Sequence, residues 1–492
     1  MLSSLNPINS AWSHLKNDDG IEKAIPLVPI AFGTLGAYTG AGGRFTDDEG
    51  NLDLNFGGNA VLQDPWTGGL IAEKELGDSA LERGAGFLVG STQGINPASY
   101  IGLRNIQPFF ADLHLGGLSL AHNGNLTNAL SLRETLVKEG AIFRTTSDTE
   151  TVVQLIAKSK REKFVDKLID ALFQIQGGYA LVMMTNKKLV GVRDPFGIRP
   201  LVVGKLKNSY IFASETCALD IVGAKFIREV DNGEIIIIEN EKLKSIKPFP
   251  NQKSRPCVFE YIYFARPDSL IKNKCAYEYR KKLGAELANE ENLDADLVVP
   301  VPDSGVPAAL GYAEKAKKKF ELGLIRNHYV GRTFIEPTQN IRSLGVKLKL
   351  STTKTLIEKK SIILIDDSLV RGTTCHKIVK MLLENGAKKV HVRIACPEIR
   401  YPDFYGVDMP TKEELLAHEK NVDEMSKYIK ATSLRFLSIE GLYNALIGEK
   451  RNPSYPQFSD HYFTGDYPVK PQDDMNNIKI KQLSLLSGKS NN

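Results

Sequence analysis

Two adjacent carboxylates, Asp366 and Asp367, directly follow the apolar residues Ile362 to Ile365 and precede Arg371-Gly372-Thr373-Thr374. The apolar run is bounded by charge on both sides, which predicts a buried parallel strand rather than a helix. Strands of that kind end in loops that hold ligands. Side by side at such an end, two carboxylates repel unless a cation or sugar hydroxyls sit between them. The glycine lets the backbone curl, and the two hydroxyls can donate. A helix expected from about Cys375 would aim its free amides at an anion. Strand, paired acids and anion-binding turn together imply a phosphosugar site.

Other stretches carry weaker signals. Pro302-Asp303-Ser304-Gly305 lies between an expected strand, Leu297 to Val301, and an expected helix, Val306 to Lys319. Amides and a hydroxyl at a helix start suit a second anion, although a plain turn is an equal reading in isolation. Arg326 to Pro337, running on to Lys347-Leu348-Lys349, mixes cations, glycine and proline without periodicity. That describes a basic loop able to close over phosphates, and spacing alone equally allows a solvated charged loop. Further upstream, Ala121 to Asn128 reads as a polar turn after a short apolar strand, with backbone amides free to face a ligand. Ser147 or Asp148 is a plausible cap for an apolar-periodic helix expected from Thr151.

The elements that must position these residues fall into two kinds. Between Gly177 and Ile238, short strands alternate with Gly/Pro turns, as layered β-sheets do. From Tyr277 to about Glu398, strand and helix alternate, which predicts a parallel sheet with helices on both faces. A Pro-, Gln- and Lys-rich stretch near Lys247 to Arg255 suggests a boundary between them. Cys257 to Ser269, rich in aromatics, reads as a packed strand. From Pro410 the sequence suggests a helix, Lys412 to Lys430, a short apolar stretch at Leu434 to Ile447, and a polar tail after Tyr467. Residues 1 to about 90 are the poorest in pattern, and Thr39 to Arg44 reads as a flexible loop rather than a nucleotide-binding one.

At 492 residues, with 42% hydrophobic and 25% charged residues and a net charge of +5, the chain reads as two or three ordinary soluble domains. No basic block marks a nucleic-acid or lipid surface. The five cysteines show no Cys-x-x-Cys pair, so reduced cytosolic thiols are expected. With no signal peptide or membrane-length apolar run read from the sequence, a cytoplasmic location is expected, without nucleic acid or membrane partners.

Asp366 to Thr374 resembles the loop by which type I phosphoribosyltransferases bind phosphoribosyl pyrophosphate (PRPP). Ala121 to Asn128, Thr145 to Glu150, Gln176 to Leu181, Arg193 to Pro200 and Ala213 to Thr216 resemble the glutaminase half of amidotransferases with an N-terminal nucleophile. Cys257 to Ser269 resembles the segment that joins the two halves in the amidophosphoribosyltransferase family of purine synthesis. The resemblance covers about residues 100 to 465. It implies an N-terminal-nucleophile-type α+β domain of layered β-sheets, followed by an α/β phosphoribosyltransferase domain with a parallel sheet. The divisions expected are 1–90 (a divergent part of the glutaminase domain), 91–250 (the remainder), 251–466 (the transferase) and 467–492 (a tail).

By the same resemblance, Asp366 and Asp367 bind the ribose hydroxyls, Arg371, Gly372, Thr373 and Thr374 hold the 5′-phosphate, and Ser368 belongs to the same PRPP-binding set. Asp303 and Ser304, with Arg332 and Lys349, hold pyrophosphate, and Ser304, Asp366 and Asp367 are the Mg²⁺ positions. Arg332, Lys349, Asp366 and Asp367 form the catalytic set. Asn123 and Gly124 match the oxyanion-hole positions, and Asp148 matches the group that holds the amine of glutamine. The family's partners are PRPP, glutamine or ammonia, and inhibitory purine nucleotides, in homodimers or homotetramers.

The sequence departs from that pattern at its start. No cysteine precedes Cys217, and Val89 stands where an arginine is expected to pair with the glutamine carboxylate. The loss of nucleophile and charge together predicts an ammonia-dependent enzyme. A frame-shifted translation of residues about 20 to 100 accounts for the abrupt loss of resemblance. Arg326 and His328 also depart, standing where lysine and arginine are expected. No iron-sulfur cluster is expected, because only Cys257 falls on a cluster position, with Asp403 and Ser459 to His461 at the others. The alternative to an enzyme is a catalytically dead PRPP-binding regulator or relic.

Overall fold

The computed structural model describes residues 105–291, 293–327, 350–409 and 411–473, and the antiparallel backbone pairing of Ala60–Gln63 with Leu70–Lys74. That pairing lies in the stretch poorest in sequence pattern.

The first unit is built on a six-stranded antiparallel sheet. Its spatial order is Lys242–Ile246, Ile235–Glu239, Leu189–Arg193, Gly177–Thr185, Gly116–Leu126, Phe109–Leu113. Period-two alternation buries both faces. Leu181 and Met183 pack with Val152, Ile156 and Leu168 of the helices Thr149–Lys158 and Phe164–Leu172. Ala180 and Val182 point the other way, onto Val203 and Phe212 of a three-stranded sheet. This is the layered arrangement expected.

The second unit has a five-stranded parallel sheet, in the order Lys319–Phe320, Leu297–Pro300, Ser361–Asp366, Lys389–Ile394, Ser433–Phe436. Ile362, Ile363, Leu364 and Ile365 are each fully buried, worth about 2 kcal/mol apiece. The chain runs outward in opposite directions from the pair Leu297–Pro300 and Ser361–Asp366. A crevice therefore opens between the loops that follow those two strands.

Several elements differ from expectation. Gly116–Leu126 is one continuous strand, pairing Asn123 with Ala180 and Gly124 with Tyr179, so the polar residues extend the sheet instead of turning. Cys257–Ser269 is not a strand: Glu260–Phe264 is a π-helix, its carbonyls Tyr261 O and Ala265 O taken by the buried Arg280 guanidinium at 3.1 and 2.6 Å. The helix after the acids starts at Thr373, two residues early, because Gly372 supplies the left-handed turn (φ 73°). The helix after Gly305 ends at Ala316, where Lys317 turns left-handed and Lys319–Phe320 becomes an edge strand. Lys412–Lys430 is three short helices rather than one. Leu416 N donates to Val370 O, tying this segment to the acid-bearing loop, and an Asn421–Glu424 capping box starts a new helix. Leu434–Ile447 divides into a strand and the helix Ile439–Ile447.

Replacing Arg280 by Met strands two buried carbonyls, so we expect about 3 kcal/mol lost in chemical unfolding. A cost below about 1 kcal/mol would show that Arg280 does not hold the π-helix in place.

Candidate active sites

The loops at the crevice carry the acids and the turn. Val301 N donates to Ile365 O at 2.8 Å, and a Cβ on Gly305 would stand 2.6 Å from that same oxygen. The Pro302–Gly305 turn is thus pressed against the end of the acidic strand, Ser304 bonds Asp367, and Asp303 pairs with Arg326. Asp367 is buried and Asp366 half-buried. Desolvation raises both carboxyls. The neighbouring Asp367 charge raises Asp366 further, whereas hydrogen bonds from Ser304 and Ser368 and the Arg280 charge partly offset the rise at Asp367.

On the other side of the crevice, Gly372 opens the helix Thr373–Glu384, which leaves its first amides unpaired within the helix for an anion. Arg371 donates through Nε and Nη2 to Glu414 Oε2, and Arg326 donates to Asp303 Oδ2 at 2.6 Å. Both pairs are solvent-exposed enough to be worth at most about 1 kcal/mol, so an arriving phosphate can replace the carboxylate. Arg332 and Lys349 lie outside the described residues.

Magnesium takes hard oxygen donors and few protein ligands, keeping the rest for substrate and water. Ser304, Asp366 and Asp367 fit that need: the serine hydroxyl and the two adjacent carboxyls are hard oxygen donors, and a cation between them would offset the charge that Asp367 imposes on Asp366.

In the first unit, Asp148 meets the strand that carries Asn123 and Gly124 at Leu126. Asp148 caps no helix amide; it accepts from Leu126 N at 2.9 Å and lies 3.5 Å from His122 Nδ1. Desolvation opposes its ionisation, but the charge and hydrogen bond of His122, with the Leu126 amide, hold it below the usual carboxylate range. An anionic Asp148 suits an ammonium group. A cavity of about 290 Å³ opens there, lined by Asn125, Leu126, Arg133, Ser147, Asp148 and Asp473. Arg199 Nη2 donates to Asn123 Oδ1 at 3.0 Å, which leaves the Asn123 amide N–H groups available to a substrate oxygen. A larger cavity, about 610 Å³, lies between Arg193–Val202 and Lys247–Lys272 and touches none of the crevice residues named above.

Residues 102–220 match the family described as glutamine amidotransferase domain, and residues 276–429 match the phosphoribosyl transferase domain family. An amidophosphoribosyltransferase of Rhizobium etli is 52% identical over 441 residues, covering 88% of each chain. The chain belongs to the amidophosphoribosyltransferase family. Another member, from Staphylococcus aureus, is 45% identical over 82% of this chain and 81% of its own. The solved glutamine PRPP amidotransferase of B. subtilis, complexed with ADP and GMP, superimposes with a TM-score of 0.72 at 45% identity, covering 76% of this chain and 82% of that one. These amidophosphoribosyltransferase relatives make the chain an enzyme of the pentosyltransferase type.

At the positions where some family members carry cluster ligands, Cys257 meets Tyr462 Oη at 3.2 Å, while His461 bonds Asp403 and Ser459. One thiol beside a self-satisfied imidazole–carboxylate pair does not fit a cluster held by four thiolates. Sequence reasoning missed Arg199, His122, Arg280 and Glu414. Arg199 and His122 sit in strings quoted only for their resemblance, and Arg280 and Glu414 act on Asp367 and Arg371, 87 and 43 residues away, which no local pattern reveals.

Asp366→Asn tests the electrostatics. A carboxyl whose folded-state pKa is raised destabilises only when ionised: the penalty is absent below the unfolded-state pKa near 4 and complete above the folded one. Without metal at neutral pH, the variant should therefore melt about 2 °C higher than wild type, with the gain vanishing near pH 3, and should lose activity at least about 100-fold. A lower melting temperature at neutral pH would contradict the assignment.

Proposed function

We propose that this chain forms 5-phosphoribosylamine and pyrophosphate from PRPP, the first step of de novo purine synthesis, with ammonia as the nitrogen source. The observation that carries the reading is the crevice between two parallel strands, where Asp366, Asp367 and Ser304 face an anion-binding turn. A division near residue 250 into a glutaminase-like and a transferase domain accompanies it.

In this reading the amides of Gly372 to Cys375, with the Thr373 and Thr374 hydroxyls, Ser368 and Arg371, hold the 5′-phosphate. Asp366 and Asp367 accept from the ribose hydroxyls. As the bond from C1 to pyrophosphate lengthens, positive charge grows on the sugar, and the two carboxylates favour that charge. The ammonia lone pair forms the new bond to C1 while pyrophosphate leaves with the electrons of the old one, and the extra proton on nitrogen passes to water. Magnesium, when bound, supplies neutralisation of the leaving pyrophosphate. Ser304 and Asp303, with Arg332 and Lys349 from the basic loop, orient that group and exclude water from it.

Ammonia enters the proposal because no cysteine precedes Cys217, whereas the amide pocket around Asn123, Gly124 and Asp148 keeps its polar groups. Inhibition by purine nucleotides, and assembly into homodimers or homotetramers, extend the reading by family likeness. The B. subtilis relative was solved with ADP and GMP.

The test is pyrophosphate release from PRPP with Mg²⁺, run in parallel with glutamine and with an ammonium salt at alkaline pH. Turnover with ammonium and at least about 100-fold less with glutamine is the expected result. Equal turnover with glutamine would defeat the ammonia-dependence, and silence with both would defeat the synthase reading.

A further inference from the structure

Asn123 and Gly124 belong to the first unit, yet groups from the second unit press on them. The loop 403–407, after the parallel strand Lys389–Ile394, lies against their strand. Asn125 Nδ2 donates to Phe404 O at 3.0 Å. A Cβ on Gly406 would stand 2.6 Å from both Cα and C of Gly124, so the two backbones touch with no room for a side chain. On the paired strand, a Cβ on Gly178 would meet Tyr405 Cβ at 2.9 Å. Asn123 is fixed from the same side, because Arg199, which donates to it, lies 3.6 Å from Glu260 of the π-helix.

What shapes this loop is Asp403. One of its oxygens accepts from Tyr405 N at 2.8 Å and Val407 N at 2.6 Å, closing the loop on itself. The other oxygen meets His461 Nε2 at 2.8 Å, and His461 Nδ1 meets Ser459 Oγ at 3.0 Å. The Asp403 and His461 side chains are wholly shielded from water, and the Tyr405 ring stands edge-on to the imidazole at 5.0 Å. Breaking one partner of so buried a pair leaves the other uncompensated, so the arrangement has one stable form and little play. Burial opposes ionisation of Asp403, but His461 and the two amides hold its carboxyl below the usual range.

We propose that the buried His461–Asp403 pair is a positioning unit for the amide pocket: through loop 403–407 it sets the backbone of Asn123 and Gly124 from the transferase side. Neither residue lines the cavity beside Asp148. The proposal rests on the reading of Asn123 and Gly124 as the groups that face the glutamine amide. It makes the carboxyl-terminal segment around Ser459–His461 a part of the first unit's site, joined to it by hydrogen bonds and backbone contact.

Hydrogen–deuterium exchange on the full-length protein tests this without requiring glutaminase turnover. In Asp403→Ala, amides 122–127 and their partners 178–181 should exchange at least about tenfold faster than in wild type, while amides 362–365 stay protected. Ammonium-dependent turnover should stay within about twofold. Asp403→Asn, which keeps oxygen acceptors for Tyr405 N and Val407 N, should restore most of the protection. Gly406→Ala leaves the His461–Asp403 pair intact and should open the same amides, which guards against a variant that simply fails to fold. Faster exchange confined to 396–407 and 458–467 would overturn the proposal, as would an equal loss of protection at 362–365. Adding glutamine to the wild type reports separately on the amide-pocket reading, because absence of protection there leaves the mutant comparison intact.

Discussion

Asp366 and Asp367 are adjacent and alike in charge, and two unit charges about 4 Å apart at an effective dielectric near 20 repel by about 4 kcal/mol. Desolvation adds to that cost and raises both carboxyls. Such a pair persists only where other groups hold it and where a ligand gains from it. The fully buried run Ile362–Ile365 fixes the backbone, and the Ser304 and Ser368 hydroxyls bond the second carboxyl. Much of the second unit follows from keeping these groups at one crevice.

The parallel sheet answers that need geometrically. Its order brings Leu297–Pro300 beside Ser361–Asp366 and sends their onward connections apart, so a crevice opens between the two following loops. Gly305 allows the first loop to approach Ile365 O, and Gly372 lets the second begin a helix at once. The exposed pairs Arg371–Glu414 and Arg326–Asp303 keep opposite charges near this mouth in weak, replaceable contacts. The first unit follows a different logic. Asn123 and Gly124 lie on a sheet strand, where they and the neighbouring Asn125 meet Arg199 and loop 403–407, with Arg199 in turn beside Glu260.

The acidic strand was legible because Ile362–Ile365 is an uninterrupted β-branched and leucine run with charge at both ends, a pattern that decides strand against helix locally. The turns at Asp303 and Arg371 were legible through glycine and hydroxyl chemistry. Cys257–Ser269 misled because its aromatics favour strands by propensity, while Arg280, far along the chain, captures the carbonyls that a π-helix leaves free. Ala121–Asn128 misled for a related reason: polar residues and glycine suggested a turn, but pairing with Gly177–Thr185 keeps them in the sheet. Lys412–Lys430 carries helical composition throughout, but the bond from Leu416 N to Val370 O and the capping box at Asn421 divide it. In each case a contact distant in sequence outweighed a local preference.

The central claim is that Asp366 and Asp367 are the groups through which this crevice takes PRPP with a divalent cation. Isothermal titration calorimetry of PRPP with Mg²⁺ into the wild type and into Asp367→Asn measures it directly. The account predicts an affinity at least about tenfold weaker in the variant, with both proteins folded alike by circular dichroism. Equal affinity in the two would contradict it.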